Sequence, residues 1–124
     1  MTDAPWSRAA LRVWADGSSV GEIARRIGIP SADDSTKFWY VEPGGDGPRH
    51  LDDRLKLVKG FMAGNREVLK SLAATAPIDL MVSWSPKDGQ DGLVLEAELV
   101  ALLAECGAYV AMDTYVESDS AEGL

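Results

Sequence analysis

The pattern of apolar and polar positions predicts strands and helices that alternate along the chain. The clearest unit is segment 92–115, where four apolar side chains recur at helical spacing and share one stripe: Leu99, Leu102, Leu103 and Cys106. Gly107 follows them and can adopt the left-handed backbone of a helix C-cap. The alternation over 109–115 then has the period of a strand, so this helix is expected to fold back on a sheet.

The same patterns predict the earlier elements. Alternating or strand-favouring residues occupy 8–15, 37–41 and 78–84, which predicts three further strands. Ser19 and Glu22 have the spacing of a capping box, so a helix is expected to begin there and to end at Gly28. The region 51–72 contains two apolar stripes separated by Gly64 and Asn65, which predicts a C-cap followed by a new N-cap and therefore a broken helical hairpin.

This order of elements predicts an α+β fold built as a two-layer sandwich. A strand ending in Trp, an Asp-Gly and a helix closed by Gly occur in both halves of the chain, which indicates a ferredoxin-like arrangement of two βαβ-like halves with the broken hairpin between them. We expect the two central strands to run parallel. A small doubly wound α/β fold is the competitor, but it requires strands that are apolar on both faces. Residues 8–116 would form one domain, with a flexible start at 1–7 and a disordered acidic tail at 117–124.

Composition narrows the classes of partner. The chain has 124 residues, enough for one hydrophobic core without a metal or a disulfide. Its formal net charge of −8 disfavours nucleic acid and anionic lipid and favours a basic partner. No apolar run reaches the roughly 20 residues of a membrane span, and the first residues lack the pattern of a signal peptide. A cytoplasmic protein with no membrane association is the expectation.

The sequence nominates no catalytic set. His50 is the only histidine, and no nucleophile or orienting acid accompanies it in the pattern. The acidic residues of 88–98 lack the spacing of a calcium loop, and the Gly-rich segment 44–48 lacks the GK[ST] of a phosphate cradle. The single cysteine, Cys106, lies on an apolar stripe and is expected to be a buried hydrophobe. We therefore predict no cofactor and no metal.

A surface remains as the candidate site. If the helices cover the strand face that bears Leu11 and Leu80, the other face carries Arg12, Trp14, Asp79, Met81 and Ser83. The last strand adds Tyr109, Asp113 and Tyr115 to this face. Aromatic rings with an arginine are typical anchors of protein interfaces. The predicted partner-binding residues are Arg12, Trp14, Trp39, Trp84, Tyr109, Asp113 and Tyr115. In the alternative interpretation these rings pack against loops.

The chain also resembles a known family over about residues 9 to 116. The resemblance is carried by Ile23, Ile27, Gly28 and Pro30, by Trp39 and Trp84, and most specifically by the closing segment with its Leu-rich helix, Gly107, Asp113 and Tyr115. These features are similar to the domain-of-unknown-function family 4279 (DUF4279). The resemblance implies a small, mainly bacterial domain with no established catalytic residues, of a general type that includes proteins resembling the immunity proteins of toxin systems.

These observations lead to three functional hypotheses. The first is a non-enzymatic binding protein that recognises a protein partner through an aromatic sheet face, as an immunity-type inhibitor of a basic bacterial toxin would. The second is a small-molecule-binding or regulatory domain, which a deep pocket lined by Trp14, Trp39 or Trp84 would favour. The third is a carboxylate-based hydrolase.

Overall fold

Four helices pack on one face of a four-stranded sheet. The computed structural model describes residues 7–16, 19–45, 50–85 and 93–114. Its elements follow in the order β1 (Ser7–Trp14), α1 (Val20–Ile27), β2 (Phe38–Val41), α2 (Leu51–Gly64), α3 (Arg66–Ala73), β3 (Ile78–Trp84), α4 (Ala97–Glu105) and β4 (Tyr109–Thr114). The fold is therefore α+β in two layers, as the sequence predicts.

The sheet order is β2-β1-β3-β4. β1 is antiparallel to both of its neighbours, β2 and β3, whereas β3 and β4 are parallel. The expectation of a parallel central pair is therefore wrong, and the ferredoxin-like detail is not confirmed. Only the second half is a parallel β-α-β unit, because α4 returns the chain to the end of the sheet where β3 began.

Local capping explains where the helices begin and end. The Ser19 hydroxyl accepts a hydrogen bond from the backbone N–H of Glu22 at 3.0 Å, which caps α1 at its start. Gly28 ends α1 with a φ of 86°, a left-handed conformation that favours glycine. The side chain of Asn65 donates to the carbonyl of Phe61 at 2.9 Å. Asn65 is thus both the C-cap residue of α2 and, as predicted, the N-cap residue of α3, although its side chain makes no cap hydrogen bond to α3.

One hydrophobic core fills the space between the layers. Each of the four helices and β1, β2 and β3 contributes buried side chains to it, and β4 packs against it through Val110. In β1 the buried positions alternate through Ala9, Leu11 and Val13, which point toward the helices. Ser7, the last residue of the predicted flexible start, opens this strand and is buried. The rest of the predicted flexible start and the whole acidic tail lie outside the described residues.

Candidate functional site

The face of the sheet opposite the helices carries the candidate site, and we call it the open face. Pairing across the sheet places Tyr40, Arg12, Asp79 and Tyr109 in one row that crosses all four strands. These positions alternate with the core positions of their strands, so their side chains lie on the side away from the helices. The predicted position of Arg12, Trp14 and Asp79 on one face is confirmed by this register.

Arg12 and Asp79 form the centre of this face. The Arg12 guanidinium donates two hydrogen bonds to the Asp79 carboxylate, from Nε at 2.8 Å and from Nη2 at 2.9 Å. The indole Nε1 of Trp14 donates a third, to Oδ2 of Asp79, at 3.1 Å. The side chains of Arg12 and Asp79 are only 22% and 14% exposed, so this bidentate pair is largely shielded from solvent. The arginine is therefore already neutralised and is not a free anion site.

The Arg12 guanidinium lies beside the rings of Trp14 and Phe38, and Tyr40 lies next to Phe38. We call these three rings, together with Arg12 and Asp79, the aromatic cluster. The rings of Trp14 and Phe38 tilt at 60° to each other with centroids 4.9 Å apart, and Tyr40 continues the series 6.3 Å from Phe38. The Arg12 guanidinium lies 5.1 Å from the Trp14 centroid and 5.6 Å from that of Phe38. Cation–π attraction holds the Arg12 guanidinium against the rings of Trp14 and Phe38. The Asp79 carboxylate, which accepts from both Arg12 and Trp14, fixes these two side chains relative to each other.

Tyr40 is the titratable ring of the cluster. Burial and the neighbouring negative charge of Glu42 raise the pKa of its phenol above the ordinary value. The phenol O–H also donates to the Glu42 carboxylate at 3.5 Å, a long hydrogen bond that favours the neutral form. Tyr40 therefore presents a neutral hydroxyl at physiological pH.

Solvent access varies across the open face. Ala10 and Ser83 point to this face and are buried, although neither belongs to the core cluster. The ring of Trp14 and the side chains of β2 on this face are half-buried. Tyr109 and Asp113, on β4, are exposed. The open face is therefore closed at Ala10 and Ser83, partly accessible at the rings of the aromatic cluster, and exposed at Tyr109 and Asp113 on β4.

Two of the predicted binding residues lie elsewhere. Trp39 and Trp84 point toward the helices and are 0% and 7% exposed, so they belong to the core and not to the open face. Trp39 is fixed there by a hydrogen bond from its Nε1 to the carbonyl of Ile29 at 2.9 Å and by stacking on Phe61. Tyr115 lies outside the described residues.

Sequence reasoning missed two members of the cluster, Phe38 and Tyr40. The signal that identifies them is the alternation in β2, where Trp39 and Val41 take the core side. The segment is so rich in aromatic residues that its pattern alone does not say which pair faces the helices. The pairing of Trp39 with Val13 decides it, because directly opposite residues share a face.

A second polar network, also absent from the sequence analysis, joins α2 to the sheet. Arg54 is buried and donates to the Ser7 hydroxyl at 3.1 Å and to the Glu42 carboxylate at 3.2 Å. Arg8 approaches the same carboxylate at 3.6 Å. Because Glu42 neutralises a buried cation, this network ties three elements together and is a structural feature of the fold.

Other candidate chemistry is sparse in the described ranges. His50 is exposed at the start of α2 and makes no side-chain cap. Burial and the negative charge of Glu105 raise the pKa of the Cys106 thiol, which favours the unreactive protonated form. Within residues 7–16, 19–45, 50–85 and 93–114, no group of three or more His, Cys, Asp or Glu side chains is placed to hold a metal ion.

Two cavities in the helical layer are lined by described residues that do not belong to the aromatic cluster. One of about 220 Å³ lies between α2 and the approach to α4, with Leu55 and Leu99 in its wall. Another, of about 370 Å³, lies between α2 and α4 around Gly60 and Ala101. Among the described residues that line them there is no tryptophan.

Comparison with known proteins identifies no relative of this chain. No protein-family model matches the chain, and the searches of curated proteins and of solved structures also return no match. The resemblance to family 4279 therefore stays a prediction. None of the helices in the described part of the chain has both the length and the apolar character needed to cross a bilayer.

Proposed function

We propose that this protein is a non-enzymatic binding protein that recognises a protein partner through the open face. The observation that carries the proposal is the aromatic cluster, a half-exposed group of Trp, Phe, Tyr and Arg side chains on the face opposite the helices. Trp, Tyr and Arg are the residue types that dominate the binding energy of protein interfaces.

The rigidity of the cluster supports a binding role. The bidentate pair between Arg12 and Asp79 and the hydrogen bond from Trp14 fix three side chains before any partner arrives. Binding then costs little additional side-chain entropy, which would otherwise be about 0.5–1.5 kcal/mol for each side chain immobilised. A preorganised aromatic surface is therefore a favourable anchor.

Charge supports a basic partner. The formal net charge of −8 attracts a cationic protein at long range, and Asp113 on β4, opposite Ser83 of β3, adds an exposed carboxylate to the open face. An immunity-type inhibitor that binds a basic bacterial toxin fits this combination of small domain, acidic charge and aromatic face. The alternatives, a small-molecule-binding or regulatory domain and a carboxylate-based hydrolase, have less support, because the cavities described above lack both the tryptophans and a catalytic set.

The test combines capture from native cells with matched variants. The parent chain serves as bait, candidates are identified by mass spectrometry, and the affinity of each purified candidate is measured for Trp14→Ala and Phe38→Ala. Val100→Ala is the control, since Val100 is an exposed apolar residue on α4, in the helical layer. We expect losses of about 2 kcal/mol or more for the cluster variants and no change for the control.

Folding must be monitored together with binding. Thermal melts and circular dichroism establish that each cluster variant is folded at the assay temperature. A partner that binds the folded cluster variants as tightly as the parent would refute the open face as the binding surface. A partner whose affinity falls only for the control variant Val100→Ala would also refute the open face as the binding surface.

A further inference from the structure

The two outer edges of the sheet differ in how they are covered. On β2, the carbonyl of Tyr40 accepts a hydrogen bond from the backbone N–H of Ala32 at 2.7 Å. The N–H of Tyr40 donates to the Ser31 hydroxyl at 3.0 Å, so the preceding loop closes this edge. On β4, backbone pairing with β3 is the only pairing among the described residues. Within the described part of the chain, one edge of the sheet is closed, and the outward-facing backbone donors and acceptors of the other edge have no second strand or loop as a partner.

The side chains of β4 provide little of the protection that edge strands usually have. Natural edges are usually short, bulged, or marked by proline or by charged side chains, lysine above all, and Asp113 is the single charged residue of β4. β4 has six residues, Tyr109–Thr114, in unbroken register with β3, and contains neither lysine nor proline. Tyr109 and Met112 are 70% and 59% exposed, among the most exposed large apolar side chains in the described part of the chain. Such an edge is a template for another strand.

We propose that a second copy of this chain pairs with β4, antiparallel, across a two-fold axis at Ala111. A two-fold axis perpendicular to the sheet keeps each open face on the same side, so opposite residues must share a face. Only registers centred on a residue satisfy this condition. Registers centred on Ala111 or on Met112 pair the largest number of β4 residues with the second copy. The side chains that these two registers place opposite each other distinguish between them.

The register centred on Ala111 is self-complementary. Tyr109 then lies opposite Asp113 of the second copy, where the phenol can donate to a carboxylate on the open face. Val110 lies opposite Met112 of the second copy on the helical side, and the two Ala111 side chains meet at the axis. The register centred on Met112 instead places Asp113 opposite Ala111, where the carboxylate has no donor. Chemical complementarity thus favours a second copy in the first register, with both sheets joined into one.

Self-association is tested first on the full-length parent chain. Sedimentation equilibrium over a concentration series reaching several hundred micromolar should show a reversible dimer. Ala111→Lys places two ammonium groups opposite each other at the axis, and it should weaken the dimer about tenfold or more. Leu57→Lys, at an exposed position on α2, is the control and should associate as the parent does. Thermal melts verify that both variants are folded.

Cross-linking tests the register. Under mild oxidation, Ala111→Cys should form a disulfide-linked dimer, because opposite positions in an antiparallel pair have Cβ atoms about 4.5–5.5 Å apart. Met112→Cys should cross-link much more slowly, whereas faster cross-linking of this variant would indicate the Met112-centred register and overturn the proposal. A parent chain that is monomeric throughout the series also overturns it, as expected if the edge is reserved for a strand of another protein. A dimer that persists in the Ala111→Lys variant would also overturn the proposal, because such a dimer must form through another surface.

Discussion

Removing the carboxylate at the centre of the aromatic cluster should destabilise the fold measurably. Asp79 accepts hydrogen bonds at 2.8, 2.9 and 3.1 Å from Arg12 and Trp14, and its side chain is 14% exposed. Asp79→Ala leaves a largely shielded guanidinium without its counter-charge. An exposed ion pair contributes about 0–1 kcal/mol, whereas breaking a buried pair costs about 3–5 kcal/mol. For this intermediate burial we expect the free energy of unfolding to fall by about 2–3 kcal/mol.

A surface pair within the same chain provides the matched control. Glu22 and Arg25 form an ion pair one turn apart on α1, with side chains 41% and 71% exposed. Glu22→Ala removes this exposed pair together with a carboxylate in the first turn of α1, so it should lower the free energy of unfolding by at most about 1 kcal/mol. Urea unfolding followed by circular dichroism gives both values, provided that the m-values of the variants equal that of the parent.

A double-mutant cycle isolates the pair itself. Arg12→Met removes the cation while it keeps much of the apolar stem, and the double variant Arg12→Met/Asp79→Ala leaves neither charge unpaired. We expect a coupling free energy of about 1–3 kcal/mol between Arg12 and Asp79. An Asp79→Ala loss no greater than that of Glu22→Ala, or a coupling near zero, would refute the role assigned to this pair.

Three further predictions concern packing, backbone and pH. Leu102→Ala should cost about 2–5 kcal/mol in a denaturant melt, because the side chain is buried in the core and its loss opens a cavity. Gly28→Ala should lower the free energy of unfolding by about 1–2 kcal/mol in the same assay, because alanine is strained at the φ of 86°. Steric clash does not contribute, since a Cβ at this position meets no neighbouring atom. The helical Gly60→Ala, with equal space, should stabilise by up to about 1 kcal/mol. Because the pKa of Tyr40 is raised in the folded protein, the neutral phenol stabilises the fold at pH values below about 10, the ordinary pKa of tyrosine. This stabilisation is lost as the pH rises through the pKa that Tyr40 has in the folded protein. Tyr40→Phe should reduce this alkaline loss in melts that cover that range, and an unchanged profile would contradict the assignment.

Much of the local structure could be predicted from the sequence because its determinants are local. The capping position of Ser19, the left-handed Gly28 and the break at Gly64–Asn65 each depend on residues within a turn of the feature they control. The span of β3, 78–84, also agrees with its alternating pattern. Alternation alone also predicts that Arg12, Trp14 and Asp79 share one face of the sheet, whichever strands pair.

The candidate site was predicted only in part, because face and neighbours depend on pairing. The sequence included Trp39 and Trp84 in the binding surface because of their residue type, yet both rings are buried beneath the helices. It missed Phe38 and Tyr40, whose place beside Arg12 and Trp14 follows from the β1–β2 register. Residue type is therefore a weaker guide to this surface than the face of the strand that the residue occupies.

The sequence by itself determined the kind and order of the main elements and which residues alternate along each strand. Only the tertiary structure decided the sheet order, the antiparallel central pair and the contact between Arg12 and Asp79, which are 67 positions apart. The physical reason is that a strand's hydrophobic alternation is the same whichever direction its neighbour runs. Direction and register are fixed by how all the apolar faces close over one core, and that is a property of the whole chain.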